Sequence, residues 1–313
     1  MKHTQNEEVI GRLLDDLTEF THLYKSGGFR APVSDSGVRY SIRRNIRKKA
    51  KTLIGFIRKR LFTQPGRKET APKKASGTGT DLQYDYFSDE QIAVYMAPFG
   101  KYDQIREPVC HPDNIDYYIL TDQELPPESD WKKLSTETCV PEEFLADPVM
   151  ANRWCKLHPH LIFPDHRISI YVDSNYLITS DLTALANLMK EYPAAMFRHK
   201  KRNCVYEEIA ACIEQKKDRE DRLLAHGREL RKKGIPERNG LLEAPVIVRR
   251  HSEEECIRLM DTWWNAFCRG CRRDQIALIE ALWDLGISPD TLAVLGDDFR
   301  DCDLFITFRH IEK

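Results

Sequence analysis

The chain has 313 residues, of which 41% are hydrophobic and 10% aromatic, so it can bury one full-sized core and still carry an appendage. A formal net charge of −1 and a pI of about 6.8 exclude the overall basic balance of a nucleic-acid-binding protein. Nine irregularly spaced cysteines indicate a reducing compartment rather than a disulfide framework, and no apolar run is long enough to span a membrane. We therefore expect a cytoplasmic protein, either soluble or peripheral on the membrane face.

The first part of the chain predicts two helices and a linker. Residues 7–25 carry an apolar face, and residues 41–62 combine an apolar stripe with a dense basic face. Such a basic amphipathic helix fits an anionic membrane surface, or it packs as a solvated helix on the main domain or another subunit. Nucleic acid is not expected as a partner, because no aromatic residues are interleaved with the charge. The predicted division is a helical extension over 1–62, a flexible linker over 63–81 and a main domain over 82–313.

Strands and helices alternate in the main domain, which predicts an α/β fold with a mixed, mostly parallel sheet covered by helices. The predicted strands are 91–97, 116–120, 168–172, 194–197 and 244–249, with extended segments near 292–295 and 304–308. The predicted helices are 148–158, 182–192, 206–231, 252–267 with Ser252 as its cap, and 273–285.

Three predicted strands end in polar residues, near Gly100, at Asp122, and at Asp173 with Asn175. The carboxyl ends of parallel strands line one crevice, so these groups are expected to share one site. The carboxylate of Asp173 and the amide oxygen of Asn175 suit a divalent ion that bridges a diphosphate. The alternative is that Asp173 caps the next segment and Asn175 occupies a turn.

Two further groups of residues are candidates for chemistry. Arg153 and Lys156 lie three apart on one face of a predicted helix, where they would neutralise a leaving diphosphate or remain a solvated face. Asp274 either caps its helix or accepts the proton of an acceptor hydroxyl.

A second polar cluster follows the strand 194–197. It comprises His199, Arg202, Glu207 and Glu208, whose carboxylates suit sugar hydroxyls. Glu207 and Glu208 are consecutive on a predicted helix and point in different directions, so at most one is expected to line a site.

Collinear blocks between about residues 91 and 281 resemble a known family. The blocks are Ile92 to Asp103, Asp116 to Asp122, Asn152 to His158, Ile168 to Asn175, His199 to Glu208, Gly240 to Glu243, Val246 to His251, Trp263-Trp264 and Arg272 to Gln275. Together they are similar to a glycosyltransferase-like domain, formerly a domain of unknown function, of plant mucilage and turgor-regulation proteins and bacterial polysaccharide loci. The resemblance does not cover the first ninety or so residues.

The resemblance implies a GT-A-type (Rossmann-like) fold and a hexosyltransferase of polysaccharide biosynthesis. Such an enzyme moves a sugar from a nucleotide diphosphate sugar to a glycan or lipid-linked acceptor. The implied donor-binding residues are Gly100, Tyr102, Asp122, Arg153, Lys156 and Asp173. The implied Mg²⁺ or Mn²⁺ ligands are Asp173, Asn175 and His310. The implied acceptor or sugar residues are His199, Arg202, Glu207, Glu208, Arg273 and Gln275, with Asp274 as the catalytic carboxylate.

Asn175 departs from the usual D-x-D triplet of that fold, and a neutral amide binds Mg²⁺ or Mn²⁺ more weakly than a second carboxylate does. The departure favours an alternative, a non-catalytic module that binds nucleotide sugars or glycans. A metal-dependent lipid hydrolase is a further alternative, because some plant relatives carry a ceramidase assignment. The sequence has neither a nucleophile elbow nor a His-rich metal motif for that reaction.

Overall fold

A seven-stranded mixed sheet flanked by helices organises the part of the chain that the computed structural model describes, residues 90–100, 103–186, 188, 192–296, 302 and 304–308. In sheet order the strands are β3 (Lys132–Leu134), β2 (Ile115–Leu120), β1 (Ile92–Met96), β4 (Ile168–Val172), β7 (Leu242–Arg249), β6 (Ala194–Arg198) and β8 (Ala293–Val294). Among these seven, only β7 runs antiparallel to its neighbours. A separate two-stranded sheet pairs β5 (Tyr176–Ile178) with β9 (Phe305–Thr307). The predicted mixed, mostly parallel sheet is confirmed.

The central strands β1 and β4 are buried along their whole length. Alternate residues of β1 enter different cores, with Ala93 and Tyr95 in one and Ile92, Val94 and Met96 in the other. A strand covered on both faces needs a nearly continuous apolar run, and both sequences provide one. Because the faces are filled with apolar side chains, polar chemistry is confined to the strand ends.

The helices lie between the strands along the chain. They are α1 (Thr136–Cys139), α2 (Glu142–Leu145), α3 (Pro148–Leu157), α4 (Pro159–Ile162), α5 (Thr183–Ala186), α6 (Val205–Glu214), α7 (Glu220–Lys232), α8 (Glu254–Arg269) and α9 (Asp274–Asp284), with a short 3₁₀ turn at Pro289–Thr291. The large helices α8 and α9 are amphipathic or apolar and form much of one core.

Three predicted helices differ from the structure. The helix predicted over 206–231 is two helices, because Lys216 adopts a left-handed backbone (φ +52°) and the polar run around it has no apolar periodicity. Ser252 does not cap α8, whose N-cap is Glu253. The helix predicted over 182–192 is described as α-helical only at Thr183–Ala186.

Free thiols are found at Cys139, Cys155, Cys204, Cys212, Cys256, Cys268 and Cys271. The described elements belong to one unit, Tyr84–Lys313. The two helices predicted over 7–25 and 41–62, and the linker between 63 and 81, lie outside the described residues. In the part of the chain that is described, no helix combines the length and apolar character needed to cross a membrane.

Candidate active site

The loops that follow β1, β2 and β4 leave the sheet at the same edge. These three strands are parallel neighbours, with Met96 paired to Ile119 of β2 and Tyr95 paired to Tyr171 of β4. The polar residues after each strand therefore emerge side by side, as expected for a crevice at the carboxyl ends of a parallel sheet. This edge contains most of the residues that the sequence nominates.

Gly100 and Asp122 are in direct contact. Both carboxylate oxygens of Asp122 accept the backbone N–H of Gly100, at 3.1 and 3.0 Å. Gly100 has φ +76°, and a Cβ there would meet Pro148 of α3 at 3.1 Å, so the position requires glycine. The Asp122 side chain thus fixes the loop after β1 while remaining exposed at the edge. Tyr102, the other predicted donor residue of this loop, lies outside the described residues.

Helix α3 is docked against the ends of β1 and β4 by partly buried hydrogen bonds. Asp147 caps it by accepting the N–H groups of Val149 and Met150. Asn152 Nδ2 donates to the Ala97 carbonyl at 2.7 Å and to the Tyr171 hydroxyl at 3.2 Å. These bonds orient the face of α3 that carries Arg153 and Lys156 toward the sheet edge.

Four charged side chains meet at this edge. Lys156 Nζ lies 2.8 Å from Asp274 Oδ2 and 3.8 Å from Asp173 Oδ1, and it stands 4.9 Å from the centre of the Tyr171 ring. Arg153 Nε lies 3.2 Å from the same Asp274 oxygen. Lys156 is 1% exposed and Asp274 is 6% exposed, whereas a third of the Asp173 side chain is open to solvent. Lys156 and Arg153 form a pair of cations, called the cationic floor below, and Lys156 also contacts the accessible carboxylate of Asp173.

Asp274 is held in its ionised form. Burial opposes ionisation, but the neighbouring Arg153 and Lys156 charges outweigh it and hold the pKa of this carboxyl well below its usual range. Asp274 is the first residue of α9, whose N-cap is Arg273, and its Oδ1 accepts the N–H of Gln275. A carboxylate with so low a pKa is a poor proton acceptor. The contacts of Asp274 with Arg153 and Lys156 instead favour a role in orienting these two cations.

Asp173 and Asn175 place a carboxylate and an amide oxygen at the start of the turn after β4. Asn175 Oδ1 is buried and has no hydrogen-bond partner, while Asn175 Nδ2 donates to the Phe308 carbonyl at 3.0 Å. One carboxylate and one orphaned amide oxygen fit a hard cation such as Mg²⁺ or Mn²⁺ that completes its shell with diphosphate oxygens and water. Within the described residues, no group of three or more His, Cys, Asp or Glu side chains forms a self-contained metal site. His310, the predicted third ligand, lies outside them.

The second predicted cluster forms around His199. Its Nδ1 accepts the backbone N–H groups of Lys201 and Arg202, and its Nε2 lies 3.3 Å from Glu208 Oε2 and 3.4 Å from Glu243 Oε1. Arg202 also pairs with Glu208 at 2.6 Å. Burial raises the pKa of the Glu208 carboxyl, but the His199 hydrogen bond and the Arg202 charge outweigh it and lower the pKa overall. Three of the predicted sugar-binding residues therefore lie together.

Glu207 and Glu208 face different directions, as expected for consecutive helical residues. Glu207 is exposed, whereas Glu208 is buried and within 3.4 Å of Cys212. Burial and the Glu208 charge raise the pKa of the Cys212 thiol to about 11, while Arg273 beside it acts in the opposite direction. Because Arg273 directly precedes Asp274 in the chain, Glu208, Cys212 and Arg273 form a series of polar neighbours between the His199 cluster and Asp274.

Sequence reasoning missed several residues of this edge. Asn152 and Tyr171 read as ordinary helix and strand residues, and Glu243 lies in an apolar strand segment. Glu243 reaches His199 only because β7 pairs with β6, where Phe197 lies opposite Glu243. The available signal was a buried strand position occupied by a carboxylate, which needs a charged or hydrogen-bonding partner.

The family model described as "TOD1/MUCI70, glycosyltransferase-like domain" matches residues 57–310. Comparison with curated proteins gave no match.

Solved structures that resemble the chain include the bifunctional glycosyltransferase WbbM in its apo form, with 11% identity and a TM-score of 0.39 over 67% of this chain and 39% of that one. The apo glycosyltransferase GlyE of Streptococcus pneumoniae TIGR4 has 14% identity and a TM-score of 0.34 over 66% of this chain and 45% of that one. Mouse xyloside xylosyltransferase 1, also apo, has 12% identity and a TM-score of 0.40 over 66% of this chain and 85% of that one. The matched part of the chain thus spans less than half the length of the first two proteins.

Proposed function

Because the chain belongs to the TOD1/MUCI70 glycosyltransferase-like domain family, we propose that it transfers a hexose from a nucleotide diphosphate sugar to a glycan or lipid-linked acceptor during polysaccharide biosynthesis. We propose a GT-A-type donor site at the edge formed by the ends of β1, β2 and β4. The observation that carries this proposal is the contact of Lys156 with both Asp173 and Asp274.

The cationic floor suits the charge that develops when a diphosphate leaves. Lys156 and Arg153 both pair with the Asp274 carboxylate, and Lys156 also lies 3.8 Å from the accessible Asp173 carboxylate. Fixed positive charge in a buried site stabilises a developing anion without the cost of reorienting solvent. Lys156 would therefore act on the diphosphate, and Asp274 would position Lys156 rather than take a proton.

Asp173 and Asn175 Oδ1 would hold Mg²⁺ or Mn²⁺, which would supply positive charge to the diphosphate. Gly100 would allow the nucleotide sugar to approach the backbone. The exposed Asp122 carboxylate would accept a hydrogen bond from a ribose hydroxyl. Tyr102 and His310 remain predictions for the same site.

The acceptor side is proposed at the His199 cluster. Glu208 and Arg202 are paired and held by His199, and Arg273 and Gln275 begin the helix that carries Asp274. Fixed carboxylates and a guanidinium are suitable partners for sugar hydroxyls. The polar neighbours that connect this cluster to Asp274 support one continuous donor and acceptor site.

A thermal-shift screen of nucleotide sugars with Mn²⁺ tests the donor site. We expect at least one nucleotide diphosphate sugar to raise the Tm of the wild type and to raise that of Asp173→Ala much less. Asp165→Ala removes an exposed carboxylate outside the site and serves as the control. If no nucleotide sugar stabilises the wild type, or if Asp173→Ala responds like the control, the proposed donor site is wrong.

The second candidate function is a non-catalytic module that binds nucleotide sugars or glycans. The burial of Asp274 between two cations favours it, because this carboxylate, the first candidate for a catalytic base, is then unsuited to proton transfer. Calorimetry of donor binding, paired with an assay of donor hydrolysis and transfer, separates the two. Binding without turnover would support the module and contradict the transferase.

We also propose a cytoplasmic protein that is peripheral on an anionic membrane through the basic segment 41–62. Flotation with anionic and neutral vesicles tests this in the full chain. We expect Arg43→Gln, Arg44→Gln and Arg47→Gln together to reduce flotation with anionic vesicles. Equal flotation of the variant and the wild type would contradict membrane binding through this segment.

A further inference from the structure

The turn that carries Asp173 and Asn175 is tied to two distant segments. Ser174 Oγ donates to Asp103 Oδ2 at 2.5 Å, and Asp103 is a buried residue of the loop after β1. Phe308 donates its backbone N–H to the Asn175 carbonyl at 2.8 Å, and Asn175 Nδ2 returns a bond to the Phe308 carbonyl at 3.0 Å. The same turn is therefore anchored at its middle residue and at its last residue.

The contact between Asn175 and Phe308 extends the ladder between β5 and β9. Tyr176 pairs with Thr307 in that ladder, so Asn175 and Phe308 form the next antiparallel position. The backbone supplies one bond there, and the Asn175 side chain supplies the second. Because a carbonyl oxygen can only accept, the atom facing Phe308 has to be the amide nitrogen. An ionised aspartate at position 175 would place a second acceptor against that carbonyl.

A third contact joins the loop after β1 to the end of β9. The Arg106 guanidinium lies 3.6 Å above the Phe308 ring, and Arg106 follows Asp103 in the loop after β1. The loop after β1 therefore makes two contacts: Asp103 accepts a hydrogen bond from Ser174, and Arg106 stacks on Phe308. The end of β9 is consequently held against the segment that carries the accessible carboxylate Asp173.

We propose that Asn175 is a positioning residue that latches the end of β9 onto the turn after β4 and thereby orients Asp173 for the donor. The functional half of this inference rests on the proposed function, whereas the latch itself does not. It explains why an amide occupies the third position of the triplet Asp173-Ser174-Asn175. The side chain has to donate a hydrogen bond to Phe308 with Nδ2, while Oδ1 is left buried without a hydrogen-bond partner.

Hydrogen exchange of the full chain tests the latch directly. In Asn175→Asp we expect the Phe308 amide to exchange at least about tenfold faster than in the wild type, because the latch is replaced by repulsion. Exchange in β4 should not change. Asn265→Asp introduces the same charge at an exposed position of α8 and should leave Phe308 as in the wild type. Unchanged Phe308 exchange in Asn175→Asp would overturn the latch.

Binding of UDP and GDP in the presence of Mn²⁺ tests the consequence for the site. A simple D-x-D interpretation predicts that Asn175→Asp binds Mn²⁺ and nucleotide more tightly. The latch predicts a loss of nucleotide affinity of about tenfold, since Asp173 loses its orientation. Asn175→Ala removes both the Nδ2 donor and the Oδ1 oxygen, so it should lose affinity as well. Tighter binding by Asn175→Asp would overturn the positioning role.

The two measurements separate failure of the latch from failure of the proposed function. If wild-type protein binds neither UDP nor GDP while Asn175→Asp accelerates Phe308 exchange, the latch stands as a structural device, and its link to a UDP- or GDP-dependent donor site is wrong. If the wild type binds one of them and Phe308 exchange is unaffected, the donor site stands and the latch is wrong.

Discussion

Lys156 Nζ donates to Asp274 Oδ2 at 2.8 Å across 118 residues of sequence, in a position where both side chains are buried. Arg153 reaches the same carboxylate at 3.2 Å. One carboxylate therefore compensates two cations. Removing it leaves Arg153 without this partner and leaves Lys156 with only the more distant and partly exposed Asp173. This arrangement makes Asp274 a structural and electrostatic centre of the site, irrespective of the reaction.

Replacing Asp274 with asparagine should strongly destabilise the fold. Leaving a buried cation without its partner costs about 3–5 kcal/mol of unfolding free energy. Asp284→Asn is the matched control, because Asp284 pairs with Lys233 at 2.6 Å near the surface, where an ion pair contributes about 0.2–1 kcal/mol. Urea unfolding at pH 7.5 measures both. Equal costs for the two variants would contradict the buried role of Asp274.

The contribution of Asp274 should also depend on pH in a defined direction. Its folded pKa lies well below the unfolded value of about 3.9, so the ionised form is favoured by folding. The contribution is complete above about pH 5 and is lost as pH falls toward the folded pKa. The difference in unfolding free energy between wild type and Asp274→Asn should accordingly shrink below about pH 4.

Adding Lys156→Met to Asp274→Asn should recover part of the lost stability. Methionine has a similar length, and a buried ion pair replaced by apolar groups is often neutral for stability. We expect the double variant to be more stable than Asp274→Asn alone, with an interaction energy of about 1–3 kcal/mol in the cycle. Additive effects would show that the two side chains are not coupled.

The single variant Lys156→Met should also weaken donor binding about tenfold, while the exposed Lys217→Met should not.

Much of the fold is predictable because each core strand coincides with a run of apolar residues in the sequence. The strand Ile168–Val172 begins and ends where its apolar run does, since each of its residues is buried. The edge strand Lys132–Leu134 was missed, because two exposed lysines and one leucine give no periodic pattern. The strand β5 was also missed, whereas β9 lies within the extended segment predicted near 304–308. These two strands pair with each other through contacts far apart in sequence.

The sequence could nominate the residues of the candidate site, but it could not predict which of them pair with one another. Arg153, Lys156, Asp173 and Asp274 were each nominated from local pattern, and they do meet. That Asp274 neutralises Lys156 depends on a tertiary contact between α3 and the first residue of α9, 118 residues apart, which no local pattern contains. For the same reason a proton-accepting role was assigned to Asp274, although its two cationic neighbours make that role unfavourable.

Acidification should destabilise the protein through two buried histidines. Burial lowers the pKa of both His158 and His251 to about 4, against about 6.5 in the unfolded chain. The unfolded state therefore binds more protons as pH falls from about 6.5 to 4, and each ring contributes on the order of 3 kcal/mol to that loss. His251→Gln should show a smaller loss of unfolding free energy between pH 7.5 and 5 than the wild type. Asn265→Gln, which removes no titratable group, should keep the wild-type dependence, and an identical dependence in His251→Gln would contradict the assignment.

Gly270 is expected to be intolerant of alanine because of a neighbouring ring and not because of its backbone. Its φ of −95° is accessible to any residue, but a Cβ would lie 2.3 Å from His226 Cε1. That ring cannot move freely, since His226 Nε2 lies 2.7 Å from Glu280 Oε2 and Nδ1 accepts the Cys271 N–H. We expect Gly270→Ala to lower the unfolding free energy by about 1–3 kcal/mol.

Gly227→Ala provides the matched control for this prediction. A Cβ at Gly227 would meet only the end of the Ile209 side chain at 3.2 Å, and alanine favours the helix by about 1 kcal/mol, so this variant should be neutral or stabilised. If the ring is the obstacle, adding His226→Ala to Gly270→Ala should cost less than the sum of the two single changes, as measured by urea unfolding. Strict additivity would instead locate the effect of Gly270→Ala in the backbone at the end of α8.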